Sequence, residues 1–453
     1  MQTLFPEFIQ SMRALLGAET DAFVRAMEGP PALALRVHRC AEAALPFIEG
    51  AVPWAEGGFY LRDGARPGAS LAHWAGAFYL QEASAMLPAA VLSARPGERV
   101  LDLCAAPGGK ASQMALAMGG EGALVANEID PARARVLAGN LERLGVCNAV
   151  VTCETPARLA ARWPGAFDAV LVDAPCSGEG MFRRDADTRA QWNPAAPAGC
   201  QKRQTEILDA AARLVRPGGR LVYSTCTFNA LENEQSVRGF LARHADFSPW
   251  EFVAPGLGAS EGGMLRVWPQ RVRGDGQFVA RLRRAGEAEA LWENAPQRGA
   301  ARARRGEKAE GAQDARNLLE QLCATAVRAL PEPLSRARMH FVGGRLFAAP
   351  AAAPDTDGLR VIWPGTALLR AEKNRVEPEH ALAMALAPRQ ALRVAPLGED
   401  EARAFLAGES LHRAGEPGWT LVACAGLPLG WGKQVDGALK NHLPKGLRKA
   451  LRA

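Results

Sequence analysis

The chain has 453 residues, with 54 Lys+Arg against 48 Asp+Glu and a formal charge of +6. That length favours about two to four ordinary domains, and a composition of 48% apolar and 23% charged residues excludes a mostly disordered or fibrous polypeptide. The nine cysteines are scattered, with no C-x-x-C and no H-E-x-x-H, so neither a disulfide scaffold nor a metal site is expected. No apolar run approaches the roughly 18 residues that span a bilayer. The start, Met1 to Glu7, has neither a basic region nor a small-residue cleavage site, so a cytoplasmic protein without a membrane partner is expected.

Residues 1–95 are mixed, rich in aromatic residues and Pro/Gly punctuation, and end in a stretch, 76–86, that reads as a helix. From Pro96 short apolar runs (99–103, 123–126, 149–152, 169–172, 220–223) alternate with stretches of helical period. One helix is well signalled: Asp130 as N-cap, Pro131 at the first position, Val136, Leu137, Leu141 and Leu144 on one face, Gly145 after the last turn. Alternation of this kind implies a parallel sheet covered on both faces. Residues 265–268, the turn Gly274-Asp275-Gly276 and residues 277–282 read as a hairpin closing the sheet's edge. Residues 285–315 are rich in Ala, Arg, Glu and Gly, with few large apolar side chains, and read as a flexible linker. In the remaining 316–453, residues 340–347 resemble a hairpin and 419–423 a strand.

The run Val100-Leu101-Asp102-Leu103-Cys104-Ala105-Ala106-Pro107-Gly108-Gly109-Lys110 takes an apolar strand straight into a small-residue turn and then a helix. In an open α/β sheet ligands bind beyond the carboxyl ends of the strands, and such a turn lets a ligand approach the backbone. A P-loop fails twice, because Cys104 stands where the first Gly should be and Ala111 follows Lys110. The G-x-G-x-x-G dinucleotide fingerprint is absent too. An adenosyl cofactor without phosphates remains. Asn127-Glu128-Ile129-Asp130, at the next strand's end, supports it, because a carboxylate there accepts hydrogen bonds from a ribose diol. Glu128 alone reads equally well as an acid beside a helix N-cap; with the turn one strand earlier, S-adenosylmethionine is the favoured cofactor.

Two further strand ends carry cysteines, Asp173-Ala174-Pro175-Cys176-Ser177-Gly178 and Ser224-Thr225-Cys226-Thr227. A single free cysteine is usually a small buried hydrophobe, but two at adjacent strand ends on the cofactor's edge can face one substrate. Methylation at C5 of cytosine needs such an arrangement. A thiolate adding to C6 makes C5 nucleophilic, a base then removes the C5 proton, and elimination frees the enzyme. Asp173 can hydrogen-bond the ring's N3–N4 edge and stabilise charge that develops during addition. This chemistry leaves open which cysteine attacks.

These segments, with Tyr223-Ser224-Thr225-Cys226-Thr227-Phe228 and Cys176-Ser177-Gly178-Glu179-Gly180-Met181-Phe182, resemble the motifs of the Sun/Fmu-type RNA cytosine-C5 methyltransferases, particularly the subgroup that acts on small-subunit ribosomal RNA. The likeness covers a core at about 75–285 and extends to both ends, where Leu427-Pro428-Leu429-Gly430-Trp431-Gly432-Lys433 and Leu439-Lys440-Asn441-His442-Leu443-Pro444-Lys445 resemble that subgroup's C-terminal module. The resemblance implies an α/β fold of the class I S-adenosylmethionine-dependent methyltransferases, Rossmann-like with a mostly parallel seven-stranded sheet, at 96–284. It also implies an N-terminal RNA-binding region at 1–95 and a PUA-like α+β RNA-binding domain at 316–453. Cys226 would be the nucleophile and Cys176 would assist release. Cys104, Ala105, Ala106, Pro107, Gly108, Gly109, Lys110, Glu128 and Asp173 would contact the cofactor, with Lys110 and Asp173 also near the reacting base. Two departures stand out. Where the family has an acid for the adenine amino group, near residue 155, this chain has Thr152-Cys153-Glu154-Thr155-Pro156, so Glu154 would serve from one position earlier. His38 replaces an Asn of the family's Leu-Arg-Val-Asn segment.

Arg183 and Arg184 lie in a long segment, 178–200, expected to be a mobile loop that closes over a flipped cytosine and touches phosphate. The last 23 residues hold six Lys/Arg, among them Lys433, Lys440, Lys445 and Arg448, against one acid, so nearly all the net charge sits there. Beside Trp419 and Trp431 that patch reads as a phosphate-tracking surface. The sequence thus points to a monomeric enzyme methylating cytosine C5 in RNA, most simply that of the small ribosomal subunit. Transfer RNA as substrate is one rival; a non-catalytic RNA-binding or ribosome-assembly factor is the other, which the intact cysteine pair disfavours.

Overall fold

The structure, a computed structural model, describes residues 4–40, 42–287, 305–372 and 375–448. Two helices, α1 (Pro6–Leu16) and α2 (Thr20–Glu28), open the chain. A four-stranded antiparallel sheet follows, ordered β2-β3-β1-β4, from β1 (Ala34–Val37), β2 (Ile48–Ala51), β3 (Gly58–Leu61) and β4 (Phe78–Leu80), with α3 (Leu71–Trp74) before the last strand. The helix expected over 76–86 is therefore a strand in its first half. Gly76, at φ +73 and packed against the backbone of Arg143, makes the turn. Phe78 and Tyr79 are then both buried, and a run buried on both faces has no period to tell strand from helix. Helix begins only with the turn Ser84–Met86 and α4 (Leu87–Leu92).

The second unit alternates β5 (Arg99–Asp102), α5 (Gly109–Ala117), β6 (Ala123–Asn127), α6 (Pro131–Leu144), β7 (Ala149–Thr152), α7 (Pro156–Arg162), β8 (Phe167–Asp173), α8 (Ala186–Gln191), α9 (Ala196–Leu214), β9 (Val215–Thr225), α10 (Glu234–Arg243) and β10 (Phe247–Pro249). After the two-residue strands β11 (Val253–Ala254) and β12 (Gly258–Ala259), β13 (Met264–Val267) and β14 (Gln277–Arg284) form the expected hairpin. Strands β5 to β9 run parallel; β14 pairs antiparallel with β9 on one side and with β13 and β10 on the other, so the hairpin lies at this edge of the sheet and shares it with β10. Helix α6 is built as its sequence signals. The Asp130 carboxylate accepts from the amides of Ala132 and Arg133 at 2.8 Å each, and Gly145 ends the helix at φ +65. Its buried face is Ala134, Leu137, Leu141 and Leu144; Val136, expected there, lies 55% exposed because it is turned about 100° from Leu137.

The expected linker lies largely outside the described residues, and its end, from 305, belongs to α11 (Arg305–Thr325). Beyond it come α12 (Glu332–Ser335), β15 (Arg338–Val342), β16 (Arg345–Ala349), β17 (Val361–Trp363), β18 (Thr366–Glu372), β19 (Arg375–Pro378) and α13 (His380–Ala385). The chain then runs through β20 (Val394–Leu397), α14 (Glu399–Ala407), β21 (Leu411–His412), β22 (Gly418–Cys424), β23 (Leu427–Val435) and β24 (Ala438–Asn441). These make two sheets, β15-β16-β18-β19 and β20-β22-β23-β24-β21. The hairpin read at 340–347 and the strand at 419–423 are present as β15–β16 and β22.

Strand β17 belongs to neither of these sheets. It pairs antiparallel with β7, and the catalytic sheet runs β10-β14-β9-β8-β5-β6-β7-β17 with β13 on β14. The expected seven strands are thus joined by two antiparallel additions, one from the C-terminal region. Leu137→Ala in α6 is expected to cost about 3 kcal/mol of folding stability, and Val136→Ala less than about 0.5 kcal/mol, by urea denaturation.

Candidate active site

Four strand ends meet at one edge of the sheet. After β5 the chain turns through residues 103–108, and Gly109 starts α5 so close to Tyr79 and Gln81 that a Cβ there would lie 3.2 Å from each. The turn is braced from the N-terminal sheet. Arg36, fully buried, reaches Ser112 Oγ at 2.6 Å, the Gly109 carbonyl at 3.2 Å and Gln81 at 3.3 Å. Its neighbour His38 is held neutral by burial, with its pKa down at about 3, so the residue that departs from the family pattern faces the catalytic unit and not solvent.

Lys110 Nζ sits 2.8 Å from Asp173 Oδ2. Burial alone would depress the ammonium, but the charge and hydrogen bond of Asp173 outweigh it and its pKa is raised. Asp173 also accepts from Ser224 Oγ at 2.7 Å and from Gln277 at 3.3 Å, so the ends of β8, β9 and β14 converge on one carboxylate. Just beyond, Cys176 Sγ and Cys226 Sγ are 3.4 Å apart. The Cys176 thiol is pushed well above its ordinary value by its contact with Cys226 and by burial. In this contact either sulfur can be the donor.

The turns that carry the thiols are fixed by buried acids that the sequence reading missed. Glu232 accepts from the Ser177 amide at 3.0 Å, from the Ser177 hydroxyl, from Gln204 at 2.7 Å and from Asn229 at 2.8 Å. Glu179 accepts from the amides of Phe228 and Asn229 at 2.8 and 3.0 Å. Glu179 lies within the quoted Cys176–Phe182 motif and Glu232 in none; the task of each is defined by backbone amides far away in sequence.

A cavity of about 200 Å³ lies against this edge, lined among others by Tyr79, Asp102, Cys104, Pro107, Lys110 and Asp173. Asp102 is the third missed residue. It is fully buried, neither oxygen has a hydrogen-bond partner of normal geometry, and burial together with Asp173 pushes its carboxyl up to about 8, against the pull of the Cys104 amide. A buried orphaned carboxyl calls for a cationic donor, and the α-ammonium of S-adenosylmethionine is one, so the residues fit that cofactor. Ala105 and Ala106 line the same cavity, and the Gly108 backbone turns beside it at φ +113. Burial and Asp102 raise the Cys104 thiol, leaving it no role as a nucleophile.

Two expected positions are used otherwise. Glu154 accepts from the Arg360 amide at 2.7 Å and faces Arg158 at 3.5 Å, so its carboxylate fastens the C-terminal region to β7 and is not presented to an adenine. Arg183 and Arg184 are ion-paired to buried Asp275, with further bonds to the carbonyls of Ala26, Ala32 and Gly274, so phosphate contact from a mobile loop is not what this segment is built for. The reason is packing: Phe182 and Trp192 join Phe8, Phe23, Phe228 and Trp268 in one aromatic cluster, and 186–191 is helical. Glu128, 3% exposed, accepts from the Asp130 amide at 3.0 Å and faces Arg133 at 3.3 Å, at the end of β6 where a ribose would lie. At the C-terminus, Lys433 lies 5.2 Å from the Trp419 ring centre, Lys440 and Lys445 are exposed, and Arg448 bonds the Leu443 carbonyl at 3.2 Å.

The parallel core, the turn after its first strand and the cavity define a class I methyltransferase. Residues 89–283 match the family described as 16S rRNA methyltransferase RsmB/F, 4–83 the N-terminal domain of RsmF, 324–386 its first C-terminal domain and 393–449 its PUA domain. The ribosomal RNA small subunit methyltransferase F of Klebsiella pneumoniae (strain 342) is 34% identical over 98% of this chain and 96% of its own length. That of Serratia proteamaculans (strain 568) is 39% identical over 62% of this chain, a match spanning 63% of that relative. A crystal structure of a methyltransferase homolog protein from Pyrococcus horikoshii superposes with a TM-score of 0.52 at 30% identity, covering 62% of this chain and all of that one. The chain belongs to the RsmF family of 16S rRNA methyltransferases.

Asp102 gives a test in the absence of cofactor. Its carboxyl ordinarily loses its proton near 3.8 but keeps it to about 8 when folded. The folded state therefore binds the extra proton, and this contribution is full below pH 4 and is lost as pH rises through 8. Asp102→Asn is expected to gain stability relative to wild type between pH 5 and pH 8, by urea denaturation; parallel pH profiles would refute the assignment.

Proposed function

We propose that the chain methylates cytosine C5 in 16S ribosomal RNA with S-adenosylmethionine, acting as a cytoplasmic monomer. The observation that carries this reading is the pair of sulfurs 3.4 Å apart beside the Lys110–Asp173 pair at the cavity's edge. The bound cofactor supplies an electrophilic methyl group. Asp102 would receive its ammonium, the turn 104–110 its methionine part, and Glu128 its ribose.

Cys226 adds to C6 of a flipped cytosine, forming a C–S bond and moving electron density to C5. Asp173, paired with Lys110 and oriented by Ser224, hydrogen-bonds the N3–N4 edge while charge develops. After C5 takes the methyl group, a base takes the C5 proton, directly or through water; the freed electron pair re-forms the C5–C6 double bond, the C6–S bond breaks and Cys226 leaves as its thiolate. Cys176, with its sulfur 3.4 Å from that of Cys226, assists at this last stage. The N-terminal unit (1–95) and the C-terminal region (316–453) would hold RNA on either side of the catalytic unit (96–284). No helix among the described residues is long and apolar enough to cross a membrane.

Cys176→Ala is expected to accumulate a covalent RNA adduct, visible as a shifted band on a denaturing gel, whereas Cys226→Ala forms none and is inactive. An adduct that needs Cys176 and survives loss of Cys226 would reverse the roles. For RNA capture, truncation is a poor tool, because Trp431 is buried and β23 and β24 are sheet strands. Replacing Lys433, Lys440 and Lys445 together by Glu should weaken RNA binding and reduce the slope of log affinity against log salt by about 2, with cofactor affinity unchanged.

A further inference from the structure

A second cavity, of about 450 Å³, adjoins the first along the strip Leu80-Gln81-Glu82, which lines both. Its walls come from the N-terminal unit and from the segment after β8. Leu33, Leu61, Pro67 and Leu80 form an apolar surface, and Arg66 and Arg184 stand at its border. Leu33 and Leu80 are 46% and 38% exposed, large apolar side chains that the fold itself does not cover. Among the described residues the Arg66 guanidinium is exposed and without an ion-pair or hydrogen-bond partner. The one acid in the wall, Glu82, is already engaged by the amides of Ser84, Ala85 and Asp275 and by the Ser84 hydroxyl.

We infer that this cavity is a binding site for the RNA nucleotide next to the target cytosine, its base laid on the Leu33–Leu80 surface and its phosphate met by Arg66. The inference rests on the proposed methylation of RNA and deepens it. A flat apolar floor with a free cation at the rim complements a base and a phosphate together. The shared strip places this site one step from the reaction cavity, within the reach of adjoining nucleotides of one strand. It also gives the N-terminal unit a specific task. A base flipped out of a stack leaves its neighbour unstacked on one side, and a surface that receives that neighbour favours the flipped state.

The test uses the full-length protein and a fragment of unmodified ribosomal RNA that the wild type methylates, with each nucleotide flanking the mapped cytosine made abasic in turn. Wild type should lose about tenfold in kcat/KM on one of these abasic RNAs. Ala69→Trp, placing a large side chain from an exposed position into the cavity, should lose about tenfold on intact RNA and nothing further on that abasic RNA. Arg66→Ala should lower the salt slope of RNA binding by about 0.7, one single-strand phosphate contact. Cofactor affinity and melting temperature should be unchanged in both variants. Methylation indifferent to Ala69→Trp, or losses that multiply when the variant and the abasic site are combined, overturns the pocket alone. If the wild type methylates no ribosomal RNA fragment, the reading of the function fails and the pocket with it.

Discussion

The contact between Lys110 and Asp173 is the constraint on which the site depends. It joins the first residues of α5 to the end of β8, two elements 63 residues apart, and fixes the cofactor turn relative to the cysteine turns. A buried ammonium and a carboxylate each lose hydration, and the pair stands because each supplies the other's missing partner. Ser224 and Gln277 complete the carboxylate's shell and bring β9 and β14 into the same register. Loss of either charge would leave the other buried and uncompensated.

Around this pair the N-terminal unit acts as scaffold. Arg36 spends its guanidinium inside the protein, on Ser112, the Gly109 carbonyl and Gln81, at a depth where burial lowers its pKa to about 10. The aromatic cluster of Phe8, Phe23, Phe182, Trp192, Phe228 and Trp268 does the same for the segments on either side of the thiols. Helices α1 and α2 therefore steady the chain just after Cys176 and just after Cys226. Asp275, between two arginines, pins the β13–β14 connection to the same place.

Much of this was legible in the sequence where a local rule applies. Strand ends, the α6 caps, the Gly-rich turn and the placing of both cysteines at strand ends follow from short-range pattern. What stayed hidden depends on partners far away along the chain. Asp102 reads as an ordinary strand residue; only burial against Asp173 marks it. Arg183 and Arg184 read as phosphate ligands because nothing nearby in sequence reveals Asp275, 91 or 92 residues on. Glu154 misled likewise, its true partner being the amide of Arg360, 206 residues away. The strand at 78–80 escaped because Phe78 and Tyr79, on opposite faces, are both buried and the apolar Leu80 follows, so no alternation marks it.

Strand β17 has a consequence for how the protein can be divided. It caps β7, and the loop before it is held by Arg162 on Asp355 at 2.5 Å and by the Trp163 indole on the Asp355 carbonyl at 2.8 Å. Without it β7 would present a bare row of amides and carbonyls on an apolar sheet, the kind of edge through which β-proteins stick to one another. The C-terminal region thus supplies an edge strand of the larger sheet and packs against the N-terminal unit as well. A catalytic core cut off after β14 would fail first through aggregation, and a replacement C-terminal module would have to bring its own edge strand.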